Sequence, residues 1–278
     1  MRGARARRTA VSIVLTAVAV TTVTTGCTSD EGAPEPTHSP APATLARLRA
    51  AEQATERAAS AKVRSTTVMG GELALTADGA LRWRDGLTGT LTITYTGGRT
   101  AETMRGLGVT SMEARYLPDA YYAHMGEEFA RKAGGKPWIR YAYDDLDALG
   151  GGTDFDDQMR NTTPSQSVRL LLDADDLRGA GQETVDGRRT THYTGTVDVT
   201  DVSDAELRGQ LQRAGMTGGT IDIWLDEQNL VVKKVERGHT ATGAYTQTAS
   251  YSDYGTDVVV AAPPSGETAD FTQLTPKA

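Results

Sequence analysis

Thr90-Leu91-Thr92-Ile93-Thr94-Tyr95 sets an apolar side chain at every second position among threonines. Successive side chains point to opposite faces of a strand, so this run has one apolar and one polar face and predicts a half-buried β-strand. Working outward, the same period of two returns over residues 114–123, 138–143, 190–199, 220–226, 231–237 and 244–251, and more weakly over 72–76 and 80–84. Asp78-Gly79 reads as a tight hairpin between the weak pair, and Asp186-Gly187 and residues 226–229 supply later turns. Consecutive strands joined by short turns predict an antiparallel meander rather than a parallel sheet with crossover helices. Alternation places Leu91, Ile93, Tyr95, Tyr193, Val197, Ile221, Ile223, Leu225 and Val235 on one face, with their Thr, Asp, Lys and Arg neighbours on the other.

Three segments change to helical spacing. Residues 44–62 carry Leu45, Leu48, Ala51, Ala54 or Thr55, Ala58 and Ala61 three or four apart, a thin stripe of small residues. Residues 164–172 present Val168, Leu171 and Leu172, and residues 203–214 begin with a capping box, Ser203 and Glu206, and end at Gly215. A sheet this long needs one face covered, so the chain reads as an α+β domain, a curved antiparallel sheet with a few helices against it.

Upstream of that domain, Arg2, Arg5, Arg7 and Arg8 precede an uncharged run over residues 9–23 and then Thr24-Thr25-Gly26-Cys27. That order is the basic, apolar and small-residue sequence of a secretory signal peptide over residues 1–26. The apolar run is shorter than the ~20 residues a permanent span requires. Cys27 is the only cysteine, which leaves no partner for a disulfide; a free thiol is the alternative to lipidation. Loss of residues 1–26 removes four of the 29 basic residues and no acidic one, leaving 25 against 36 and a net charge of −11. Such a chain has no long-range attraction for nucleic acid. Residues 28–43 hold four prolines and little to bury and read as a disordered tether, with 44–278 as one folded domain.

Catalytic motifs are absent from the sequence: there is no G-x-S-x-G, H-E-x-x-H, S-x-x-K or phosphate loop. His38, His124, His192 and His239 lack ligand spacing, so no metal or other cofactor is expected. The acids of residues 144–147 and 154–157 flank Gly150-Gly151-Gly152 without matching a calcium loop, and read as a solvated loop or lid. Tyr116, Tyr121, Tyr122, Trp138, Tyr141 and Tyr143 gather aromatic bodies with polar tips, suited to a cavity mouth or to an ordinary core.

Val23-Thr24-Thr25-Gly26-Cys27 resembles a lipobox, in which the cysteine receives a diacylglycerol and later acylation; it departs from the usual pattern at Thr24. Together with the proline-rich tether and first helix, further motifs resemble the LppX/LprAFG family of actinobacterial lipoproteins over residues 44–265. These are Tyr121-Tyr122 before Lys136-Pro137-Trp138-Ile139-Arg140-Tyr141, Val185-Asp186-Gly187 with His192-Tyr193-Thr194-Gly195, residues 221–226 as Ile-Asp-Ile-Trp-Leu-Asp, and Tyr251 with Tyr254-Gly255. The resemblance implies a LolA-like half-barrel, a strongly curved antiparallel sheet wrapped around helices, whose apolar cavity takes acyl chains of lipids or lipoglycans without chemistry. It implies a cell-membrane lipoprotein anchored at Cys27 on the extracytoplasmic face. Leu91, Ile93, Tyr95, Tyr116, Tyr121, Trp138, Tyr193, Val197, Ile221 and Ile223 are the candidate cavity residues. The alternative is an envelope scaffold with a filled core that recruits a protein partner. The alanines of the first helix leave space and favour the cavity. A hydrolase using the acids of residues 144–157, the stretch that departs from the family pattern, is the third reading.

Overall fold

The computed structural model describes residues 40–132, 135–148 and 163–274. Twelve strands form one sheet in the order β12-β6-β5-β4-β3-β2-β1-β11-β10-β9-β8-β7. The first meander comprises β1 (Ser60–Met69), β2 (Leu73–Arg82), β3 (Thr88–Gly97), β4 (Ser111–Tyr116), β5 (Ala120–His124) and β6 (Trp138–Ala142). The second comprises β7 (Arg178–Val185), β8 (Arg188–Asp198), β9 (Gly218–Leu225), β10 (Val231–Thr240) and β11 (Gly243–Ser252). Antiparallel pairing of β1 with β11, from Lys62 opposite Ser252 to Met69 opposite Tyr245, joins the two. A short β12 (Thr268–Asp270) adds to β6 in parallel.

Six helices accompany the sheet among the described residues: α1 (Pro42–Ala58), α2 (Gly98–Gly106), α3 (Gly126–Lys132), α4 (Tyr143–Ala148), α5 (Pro164–Leu172) and α6 (Ala205–Arg213). Val168 and Leu171 of α5 and Leu48 of α1 are fully buried. They belong to one cluster that also holds Tyr116 of β4, Leu91 of β3, Val63 of β1, Tyr251 of β11, Ile223 of β9 and Tyr193 of β8. Twelve strands spaced ~4.8 Å apart and laid flat would span about 50 Å, far wider than a helix ~10 Å across. Side chains from opposite halves therefore meet around two helices because the sheet curls over them, an open half-barrel as expected.

Several local expectations give way. β2 runs straight through Asp78-Gly79, and the turns fall instead at Gly70-Gly71 and Asp85-Gly86. Gly79 is where β3 comes close: a Cβ there would lie 2.1 Å from the Thr90 carbonyl oxygen. Asp78 points outward, where its Oδ2 accepts from Arg64 Nε at 2.9 Å. The single strand expected over 114–123 is the hairpin β4–β5, broken at Pro118, with the Leu117 N–H donating to the Ala120 carbonyl. α1 stops at Ala58, so Ala61 belongs to β1. α6 is capped by Asp204, whose Oδ1 accepts from the N–H groups of Glu206 and Leu207 at 3.0 and 3.1 Å. Ser203 Oγ donates instead to Asp173.

Val235 also changes side. It pairs with Asp222 and Thr248, while Lys234 pairs with Ile223 and Ala249, and paired residues share a face. Lys234 and Glu236 thus join Ile221 and Ile223 on the inner face, and Val235 lies outside, buried among its neighbours.

Two substitutions test this packing in urea denaturation. Leu171→Ala removes a fully buried side chain and is expected to cost about 2–5 kcal/mol, and Asp204→Ala, which strips the cap of α6, about 1 kcal/mol.

Candidate functional site

A cavity of about 350 Å³ lies between α6, one side of α5 and the inner face of the second meander. Its apolar lining includes Leu170, Val197, Leu207, Leu211, Met216 and Ile221. α6 forms the outer wall on few contacts. Leu207 is its one buried residue, and positive-φ Gly215 and Gly218-Gly219 follow it.

The inner wall is polar. Lys234 is 3% exposed, and its Nζ donates to Ser167 Oγ of α5 at 2.9 Å and to Glu236 Oε1 at 3.0 Å. Ser167 Oγ donates to the same Glu236 oxygen at 2.5 Å. Burial works against the ammonium charge, but Glu236, with Tyr251 and Tyr245 adding to it, holds Lys234 above the ordinary lysine value of 10.5. Lys234 is therefore a fixed cation at neutral pH. Gln166 of α5, Gln210 and Arg213 of α6, Arg237 of β10 and Tyr245 and Gln247 of β11 add further polar side chains to the lining. Burial, followed by the charge of Glu236, pushes the Tyr245 hydroxyl up, so it stays protonated.

Of the ten residues expected to form the cavity, Val197 and Ile221 line it. Tyr193, Ile223 and Leu91 are on the inner face but buried in the core around α1 and α5, with Tyr116 and Ile93 beside them. Tyr95 and Tyr121 pack at the far end of the sheet, against a cluster of Val109, Met125, Phe129 and Ile139. There Tyr121 stacks on Tyr116 at 6.1 Å and on Tyr141 at 4.5 Å, and Phe271 closes the stack at 4.9 Å from Tyr141. Burial pushes the Tyr116 and Tyr121 hydroxyls well above their ordinary range. The aromatic cluster thus stacks on itself and does not line this cavity.

Trp138 is on the outer face. It packs with Ala120 and Tyr122, and the Arg115 guanidinium stands 4.5 Å from its ring centre. The alanine stripe of α1 contributes nothing to the lining either; the space lies under α6. Lys234 and Glu236 escaped the sequence reading because alternation assigns charged residues to the solvent face, and Gln210 because a polar helix position reads as exposed. The one available signal was an opposite-charge pair two apart on one strand, which puts both on the same side.

Asp144 and Asp145 begin α4, while residues 149–162, and with them the acids at 154–157, lie outside the described residues. Cys27, the signal peptide and most of the tether also lie outside them. Among the described residues, no group of three His, Cys, Asp or Glu side chains could hold a metal, and no helix is long and apolar enough to cross a membrane.

No family model matches the chain. SCO4650 of Streptomyces coelicolor, which is named as a lipoprotein, is 52% identical over 99% of this chain and 98% of its own. The chain belongs to this family of actinobacterial lipoproteins. A Streptomyces griseus protein of 31.2 kDa, named only for its place between rplA and rplJ, is 46% identical over 83% of this chain and 80% of its own. Among solved structures, LprF from Mycobacterium bovis superposes with a TM-score of 0.51 at 15% identity, covering 81% of this chain and 99% of that one. LppX of Mycobacterium tuberculosis gives 0.49 at 18% identity over 79% of this chain. The LppX/LprAFG resemblance and the LolA-like fold it implied are upheld, and the lipoprotein's cavity sits between the sheet and a helix of that fold.

The charged wall makes a stability prediction. Lys234→Met strands Glu236 inside the protein and is expected to cost about 3–5 kcal/mol, whereas Lys234→Met/Glu236→Leu recovers most of that loss. Because the folded-state value of Lys234 is raised, its contribution is full below pH 10.5 and fades as pH climbs above it. Unfolding titrations above that pH should therefore show a slope shallower by about 1.4 kcal/mol per pH unit in the double variant.

Proposed function

We propose that this protein is a membrane-tethered carrier, lipidated at Cys27 after removal of residues 1–26, that shelters acyl chains in the cavity beneath α6 and performs no catalysis. The observation that carries this reading is the cavity itself: about 350 Å³ of mainly apolar-walled space, where a domain needing only stability would be packed solid. Ligand sites run from ~300 to 1,000 Å³, so the volume suits a small or single-chain guest. α6 is the natural door, because one buried leucine is little to release. The position of Lys234 as a paired, protonated cation argues against a nucleophile or base at this wall. Lipoprotein relatives and the LprF-type fold support placing the domain in the envelope.

Native mass spectrometry of the protein purified without detergent exchange tests the reading. A mass released on denaturation and matching an acyl lipid is the expected result. A clean mass that persists after incubation with lipid extract would sink it and leave the envelope scaffold. Leu211→Trp, which fills the space from the side of the half-exposed α6, should abolish lipid retention with little change in melting temperature. Cys27→Ala should end labelling by radioactive palmitate and move the protein out of the membrane fraction.

A further inference from the structure

The polar wall of the cavity is unbalanced. Lys234 carries three N–H donors and spends two, on Ser167 and Glu236. The side-chain nitrogen of Gln210, on the α6 wall, is buried and has no hydrogen-bond partner. Tyr245 brings a third lining group, a protonated hydroxyl from β11. On the acceptor side, Glu236 Oε1 already takes both Lys234 and Ser167. A buried donor left unmet is unfavourable, and a guest that brings an acceptor to it would relieve that cost.

Shape sets the rest of the guest. Thr240 and Lys234 both line the cavity, six residues apart along β10, the first half-exposed and the second buried. At ~3.3 Å per residue that is about 20 Å. A space of about 350 Å³ is at the low end of the ~300–1,000 Å³ of ligand sites and suits one alkyl chain. The Lys234–Glu236 pair is neutral as a whole, while Arg213 and Arg237 also line the cavity, so the wall suits a hydrogen-bond acceptor, charged or neutral.

We propose that the cavity selects a single-chain amphiphile by its carbonyl group, a fatty carboxylate or fatty ester whose oxygen accepts from the donors of the polar lining, chiefly Lys234 and Gln210. The proposal rests on the lipid-binding reading above and adds the polar chemistry: the alkyl chain among the apolar lining residues, the carbonyl oxygen at the polar ones.

Displacement of the neutral fluorophore N-phenyl-1-naphthylamine from the delipidated full-length protein provides the test, with dodecanoate, methyl dodecanoate, dodecane and dodecylamine as competitors. Dodecanoate and its methyl ester should compete about tenfold or more better than dodecane, the worth of hydrogen bonds to a charged donor, while dodecylamine gains nothing. The relative strength of acid and ester then tells free fatty acid from ester lipid. In Gln210→Leu and in Lys234→Met/Glu236→Leu the carbonyl advantage should shrink severalfold, with dodecane unchanged. Equal competition by all four in the wild type would overturn this proposal and leave a plain acyl sleeve. A carbonyl advantage untouched in both variants would overturn it too. Failure of every competitor, and of the fluorophore itself, would instead bring down the lipid-binding reading.

Discussion

The pairing of β1 with β11 holds the rest of the molecule in place. Each meander alone would expose a broad apolar face, because α5 lies against β8, β9 and β10 while α2 covers only β2 and β3. Once β1 is hydrogen-bonded along β11, the two sheets become one, and the inner residues of both halves can close over α1 and α5. Curvature follows from the burial requirement: a flat sheet of this width would leave most of its apolar face wet, at roughly 25 cal/mol for each Å².

The two ends of the curl resolve that requirement differently. Under β4–β6 the space is filled by stacked tyrosines and Phe271, with Met125 and Phe129 behind them. Under β8–β11 a helix with one buried leucine stands where a denser element would be needed, and space remains. The buried Lys234–Glu236–Ser167 knot pins α5 to β10 at the boundary between packed core and open cavity. Ion pairs in such a position add little net stability compared with apolar residues, so their usefulness lies in fixing where the packing stops.

Legibility in the sequence follows the strength of each local signal. Strands with clean alternation, such as 90–95 and 220–226, and the helix at 164–172 stand where their periodicity puts them. β1 and β7 went unread because Ser-Ala-Lys-Val-Arg-Ser and Arg-Gly-Ala-Gly-Gln-Glu have little apolar alternation; β7 is exposed along almost all its length, and β1 is a strand because β2 and β11 flank it. Asp78-Gly79 misled because the same dipeptide that permits a tight turn also permits close strand approach, and only the position of Thr90 decides between them. The cavity was legible at Val197 and Ile221 alone. Its decisive groups are charged or amide side chains that a period-two reading sends to solvent, and their burial depends on α5 and α6 folding over them.

The central pairing also fixes an order of events. β1 and β11 are separated by nearly the whole domain, yet they are neighbours in the middle of the sheet. A chain synthesised or delivered from its N-terminus can form the β1–β6 hairpins early, but its core lacks one wall until the last long strand arrives. Loop closure over such a distance is slow and leaves apolar surface exposed meanwhile. The core is thus closed only once β11 has joined β1, and the interval before that pairing is when its apolar surface is most open to aggregation.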